Sequence, residues 1–121
     1  MNKGSVERRA HARFSKEFEL EGALGPGVAS ARMVGSELSL GGLYCSSSSD
    51  FPEMTRLAVR LMLPVRASAD DAQEVLDLEA VVVRRKRMNS TSGAPRYELA
   101  LFFTSMEDTQ RERLARYLAH S

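Results

Sequence analysis

Apolar residues recur at every second position in run after run of this sequence, and the runs are separated by glycine, proline or serine-rich stretches. A period of two belongs to half-buried β-strands. In the first run, 14–21, Lys16, Phe18 and Leu20 alternate with Ser15, Glu17, Glu19 and Glu21. Further runs lie at 28–38, 43–47, 57–63, 75–84 and 97–103. Leu57, Val59, Leu61 and Leu63 share one face of the fourth, Leu76, Leu78, Ala80 and Val82 one face of the fifth, and Tyr97, Leu99, Leu101 and Phe103 one face of the last. From Ala80 onward the fifth run is apolar on both faces, which predicts burial beneath a closing helix. Gly35 and Ser36 interrupt the second run and predict a β-bulge.

A helical period occurs only at the end of the chain. Ser105-Met106-Glu107-Asp108 predicts an N-cap at Ser105 with acids in the first turn. Leu114, Tyr117 and Leu118 then form an i, i+3, i+4 stripe on a helix reaching about Leu118. Six strands followed by one helix predict an all-β fold with one helix: an antiparallel sheet closed or nearly closed on itself, with the helix over one opening. A chain of 121 residues suits one domain and buries a core without metal or disulfide support.

Seventeen basic and sixteen acidic residues leave a net charge of +1. That balance argues against a protein that coats long nucleic acid. Cys45 is the lone cysteine, so no intrachain disulfide and no cysteine-based metal cage can form. Its place in an apolar alternation predicts a core residue. No apolar stretch follows the first five residues as a signal peptide requires, and none reaches membrane-spanning length. A cytoplasmic protein without membrane insertion is expected. His11 and His120 lie at opposite ends of the chain, and no Ser-His-Asp set or phosphate-loop pattern is present. No enzyme, cofactor or metal is expected.

The stretch Ser36-Glu37-Leu38-Ser39-Leu40-Gly41-Gly42-Leu43-Tyr44 gathers different chemistry. Alternation puts Glu37 and Ser39 on one side of the pleat and Leu38 and Leu40 on the other. Gly41-Gly42 is expected to turn the chain by taking positive φ. A carboxylate, a hydroxyl and glycine amides within six residues can hydrogen-bond a small polar ligand, although a hairpin with a solvated outer face has the same composition. Residues 1–13 are polar and basic without periodicity and read as an arm carrying Arg8, Arg9 and Arg13. By themselves those arginines fit a solvated tail. Arg84-Arg85-Lys86-Arg87, before a turn over 89–95, fits a solvated hairpin end or a phosphate site.

Arg9-Ala10-His11-Ala12-Arg13, followed about two dozen residues later by Glu37-Leu38-Ser39-Leu40-Gly41-Gly42, resembles the RxxxR and [D/N]xSxxG elements of the PilZ domain family. Glu37 stands where that family has Asp or Asn. The resemblance implies a six-stranded antiparallel β-barrel with a C-terminal helix over 14–121, preceded by the arm at 1–13. It also implies a non-catalytic bacterial receptor for cyclic di-GMP that signals to a downstream protein partner. The ligand-binding set would be Arg8, Arg9, Arg13, Glu37, Ser39, Gly41 and Gly42. An arginine fork matches the O6/N7 edge of guanine or a phosphate. A carboxylate at 37 accepts from guanine N1–H and N2–H₂. The alternative is a degenerate PilZ-like adaptor that binds protein and has weak or no affinity for cyclic di-GMP. A single-stranded nucleic-acid binder on a small barrel is disfavoured by the balanced charge.

Overall fold

The fold is seen in a computed structural model that describes residues 15–25, 27–65, 73–89 and 93–120. Arg8, Arg9, His11 and Arg13 lie outside the described residues, as does most of the connection after Pro64. Among the described residues six strands appear: β1 Phe18–Ala23, β2 Ala31–Leu38, β3 Gly42–Ser47, β4 Arg56–Pro64, β5 Gln73–Met88 and β6 Arg96–Ser105. The one helix among the described residues, α1, spans Asp108–Ala119. The strands close into a barrel in the order β1-β2-β3-β6-β5-β4, every pair antiparallel.

Inward positions are those the period of two selected. Leu20, Leu61, Leu63, Leu76, Val82 and Leu99 are almost completely buried, and Cys45 lies among them. Leu114 and Leu118 of α1 join this core, with Tyr117 packed at its edge. Burial of each such leucine contributes about 1.5–3 kcal/mol. Room inside comes partly from missing side chains. The Phe18 ring occupies the space of a Gly35 Cβ, which would stand 2.1 Å from Phe18 Cζ.

Three expectations are corrected. The helix N-cap is Glu107, not Ser105: Ser105 still belongs to β6, and the Glu107 amide donates to Gln110 Oε1 at 2.7 Å. The chain needs Met106 and Glu107 to turn from the ladder before helical bonding begins. The helix does not cover the apolar run after Ala80, since Val83 is 49 % exposed. Instead Tyr117 Oη donates to the Pro64 carbonyl, and Arg113 and Gln110 donate to the carbonyls of Val75 and Asp77. Thus α1 lies by the end of β4 and the start of β5. The fifth strand also runs past its expected end at residue 84, because β5 continues to Met88 in register with β6.

Bulges set which side chains reach the outer face. The β2–β3 register shifts between Gly35 and Glu37, so Ser36 is the extra residue. Gly35 pairs with the buried Cys45, yet Glu37, two residues on, pairs with the exposed Tyr44. A second shift between Val82 and Arg84 does the same on β5: Val82 pairs with buried Leu101, and Arg84 with Ala100. One inserted residue reverses the facing of everything after it.

Candidate functional site

The outer face of β2, β3, β6 and β5 forms a hollow of about 680 Å³. A transverse row runs Glu37, Tyr44, Ala100, Arg84, one residue from each strand. The next row runs Val34, Ser46, Glu98, Lys86. Ala100 is the small member of the first row and leaves a gap between Tyr44 and Arg84. Glu17, just before β1, also lines the hollow. The site therefore combines carboxylate acceptors, an aromatic ring that is 52 % exposed, and two cations.

The two bulges described above produce this arrangement. In a regular strand without the bulges, alternation from Gly35 would carry Glu37 inward and alternation from Val82 would carry Arg84 inward. Backbone on either side of Arg84 is tied down. The Met54 amide donates to the Val82 carbonyl at 2.7 Å, and the Val82 amide donates to the Thr55 carbonyl at 2.9 Å. Met54 takes φ 74, a left-handed conformation uncommon for a non-glycine residue. On the other side Arg85 is paired with Asp50 and lies over the Tyr97 ring at 5.3 Å. The carboxylate holds the Arg85 guanidinium above its ordinary pKa, chiefly through the side-chain hydrogen bond. Asp50 follows a local turn in which Ser47 Oγ accepts from the Ser49 amide and donates to the Ser49 carbonyl.

The Ser39–Gly42 segment closes the β2–β3 turn next to Glu37. The Ser39 amide donates to the Gly42 carbonyl at 2.9 Å. The Ser39 hydroxyl donates to the same carbonyl and accepts from the Gly41 amide, both at 3.3 Å. The expected reason for the glycines is corrected: neither Gly41 nor Gly42 has positive φ. Gly42 is required by proximity instead, because a Cβ there would meet the Leu101 carbonyl oxygen at 2.0 Å. Leu40 is 37 % exposed rather than turned into the core with Leu38.

Of the residues singled out in the sequence, Glu37 lines the hollow, and Ser39, Gly41 and Gly42 build its adjoining turn. The three arm arginines fall outside the described residues. Sequence reasoning missed Tyr44, Ala100 and Glu98, and left Arg84 and Lys86 undivided within a basic run. The unbroken Val81-Val82-Val83 was the available signal, since a bulge erases alternation.

A second hollow, of about 650 Å³, lies on the other side near α1. Its cation, Arg60, is held by Asp77 with a nitrogen–oxygen distance of 2.8 Å, among Glu21, Glu79 and Glu107. That balance does not favour an anionic ligand. Among the described residues, no group of three or more His, Cys, Asp or Glu could hold a metal ion. No described helix is long and apolar enough to cross a membrane.

A model of the PilZ domain family matches residues 7–120. Among solved structures, the Bacillus subtilis inhibitor of motility, MotI/DgrA, is similar with a TM-score of 0.68 at 18 % identity, covering 93 % of this chain and 50 % of that one. The PilZ domain of YcgR from Escherichia coli, solved with c-di-GMP, gives 0.62 at 17 % identity over 92 % of this chain and 88 % of that one. The K. pneumonia MrkH–c-di-GMP complex gives 0.65 at 17 % identity over 92 % and 51 %. These identities establish likeness of fold, and the chain spans about half the length of MotI/DgrA and MrkH. No curated protein matches the sequence. With the closed barrel, its C-terminal helix and a family match over nearly the whole length, the chain belongs to the PilZ domain family.

Proposed function

We propose that this protein is a non-catalytic, cytoplasmic receptor for cyclic di-GMP in a bacterial signalling pathway, with the ligand clamped between the arm at 1–13 and the outer face of the 14–121 barrel. The observation that carries the reading is Glu37 on the rim of a hollow that Glu17 also lines. Arg13 is four residues from Glu17, and four residues of extended chain span at most about 14 Å. The arginine motif is thereby tethered within reach of the Glu37 side of the hollow. YcgR and MrkH, which share this fold, have been solved with c-di-GMP.

Each group has a distinct task. Glu37 accepts from the N1–H and N2–H₂ edge of guanine. Arg9 and Arg13, with Arg8 beside them, meet the O6/N7 edge or a phosphate with planar forks that lysine lacks. Ser39, Gly41 and Gly42 hold the turn that fixes Glu37 and offer backbone amides to the ligand. The arm and the bound ligand together present a surface that a protein partner reads.

Calorimetric titration of the wild type with cyclic di-GMP tests the proposal, alongside Arg9→Ala and Arg13→Ala. The expected result is saturable binding by the wild type and loss of most affinity in either variant, with unliganded melting temperatures nearly unchanged. No binding by the wild type would put the protein-binding adaptor first. A large melting shift in either variant would make the arm a structural element.

A further inference from the structure

Four of the other described arginines have acidic partners. Arg32 pairs with Glu19, Arg60 with Asp77, Arg85 with Asp50 and Arg113 with Glu74. Arg84 pairs with no carboxylate among the described residues. Directly across the ladder from it stands Ala100, which cannot satisfy a guanidinium. Lys86 shares the hollow, but its cross-strand neighbour is Glu98. Arg84 is also aimed by design of the backbone: the bulge at Val83 turns it outward, while Val82 and Arg85 are anchored on either side. An exposed cation on a fixed backbone beside an empty-sided alanine is prepared for an anion, because little backbone entropy remains to be lost on binding.

Electrostatics orients that anion. Arg84 and Glu37 stand at opposite ends of one row, three strand spacings or about 14 Å apart along the sheet. A phosphate is repelled from the Glu37 end, and a guanine donor edge has no acceptor in the Arg84 guanidinium. We propose that Arg84 is a ligand-contacting residue that binds a phosphate of the cyclic dinucleotide. The base nearest β2 then turns its donor edge to Glu37, and Ala100 leaves the space across which the ligand lies. This inference rests on the cyclic di-GMP reading and extends the site from the β2–β3 turn and the arm to a third element, the β5 bulge.

The test is calorimetric titration of cyclic di-GMP into wild type, Arg84→Gln, Arg84→Lys, Lys86→Gln and Ala100→Leu at one fixed salt concentration. Arg84→Gln should weaken binding by roughly tenfold, the low end for a hydrogen bond between charged groups. Arg84→Lys should recover most of that loss, because a phosphate accepts a point charge where a guanine edge needs the fork. Lys86→Gln should change affinity by no more than about twofold to threefold, since Glu98 stands directly across the ladder from it and offsets its field. Ala100→Leu should weaken binding by filling the gap, and all four variants should melt with the wild type since these side chains face outward. Raising the salt should cost the wild type more affinity than Arg84→Gln. Unchanged affinity in Arg84→Gln, or equal losses in Arg84→Gln and Arg84→Lys, overturns the phosphate assignment while the receptor reading stands. Absence of cyclic di-GMP binding in the wild type overturns both.

Discussion

Gly42 and Leu101 approach each other so closely across the β3–β6 ladder that a side chain on Gly42 would begin 2.0 Å from the Leu101 carbonyl oxygen. The obstacle is backbone in a paired strand, which cannot move aside as a flexible side chain could. Gly42→Ala should therefore destabilise the barrel by about 1–3 kcal/mol, the range for overpacking, and lower ligand affinity with it. At Gly41 an added Cβ would find only Ser39 Oγ, at 4.0 Å, so Gly41→Ala should melt within a few degrees of wild type. Thermal melts of the two variants check the contrast, and equal stability of both would contradict it.

Ser39 should behave as a turn residue as well as a ligand neighbour. Its hydroxyl already joins the Gly41 amide to the Gly42 carbonyl. Removing it in Ser39→Ala should cost about 0.5–1.5 kcal/mol of stability without ligand, as for an ordinary net hydrogen bond. Urea denaturation of the apo protein reads this directly. An apo stability identical to wild type, with binding lost, would assign the hydroxyl to ligand contact alone.

Much of the barrel was legible because its inward residues keep strict alternation. Phe18 and Leu20, Leu57 through Leu63, and Tyr97 through Phe103 face the core as their spacing required. Gly35-Ser36 was legible as a bulge because glycine and serine visibly break an apolar run. The bulge at Val83 was not, since three consecutive valines look the same whether a strand is buried on both faces or has slipped one residue. The consequence reached the site: with Val83 taken as buried, Arg84 and Lys86 had no face assigned to them. Ser105 reads as a helix cap because a serine followed by acids suits that position, and sequence alone does not mark where strand pairing stops. Arg9 and Arg13 were legible only as a spacing, and they lie outside the described residues.

Glu37 is the departure from the family pattern, and its variants separate two outcomes. If the longer carboxylate accepts from a guanine edge, Glu37→Asp should hold or improve affinity. Glu37→Ala should then weaken it by about 1.5–3 kcal/mol, the value of a hydrogen bond to a charged group. Dissociation constants at fixed salt give the order. Tightest binding by Glu37→Ala would mean that the side chain obstructs the site.

Cys45 is 3 % exposed, and burial pushes its thiol up to about 12 from 9.0. The folded protein should resist a thiol reagent at neutral pH and react only on unfolding. The linkage has a definite sign. Between about 9 and 12 the unfolded chain releases a proton that the folded one keeps, so stability falls as pH rises through that window and is unaffected below it. Denaturation midpoints against pH should fall less steeply there for Cys45→Ala than for wild type. Parallel curves would contradict the burial argument.

The central claim is guanine-specific recognition of a cyclic dinucleotide on the face running from Glu37 to Arg84. The direct measurement is calorimetry of the wild type with cyclic di-GMP and with cyclic di-AMP in the same buffer and salt. Adenine presents an N6 amino donor where guanine presents O6, so an arginine fork meets a donor and Glu37 loses the N1–H and N2–H₂ pair. Saturable binding of cyclic di-GMP, with the adenine analogue at least roughly tenfold weaker, is the predicted result. Equal affinity for the two, or no heat from either, would contradict it.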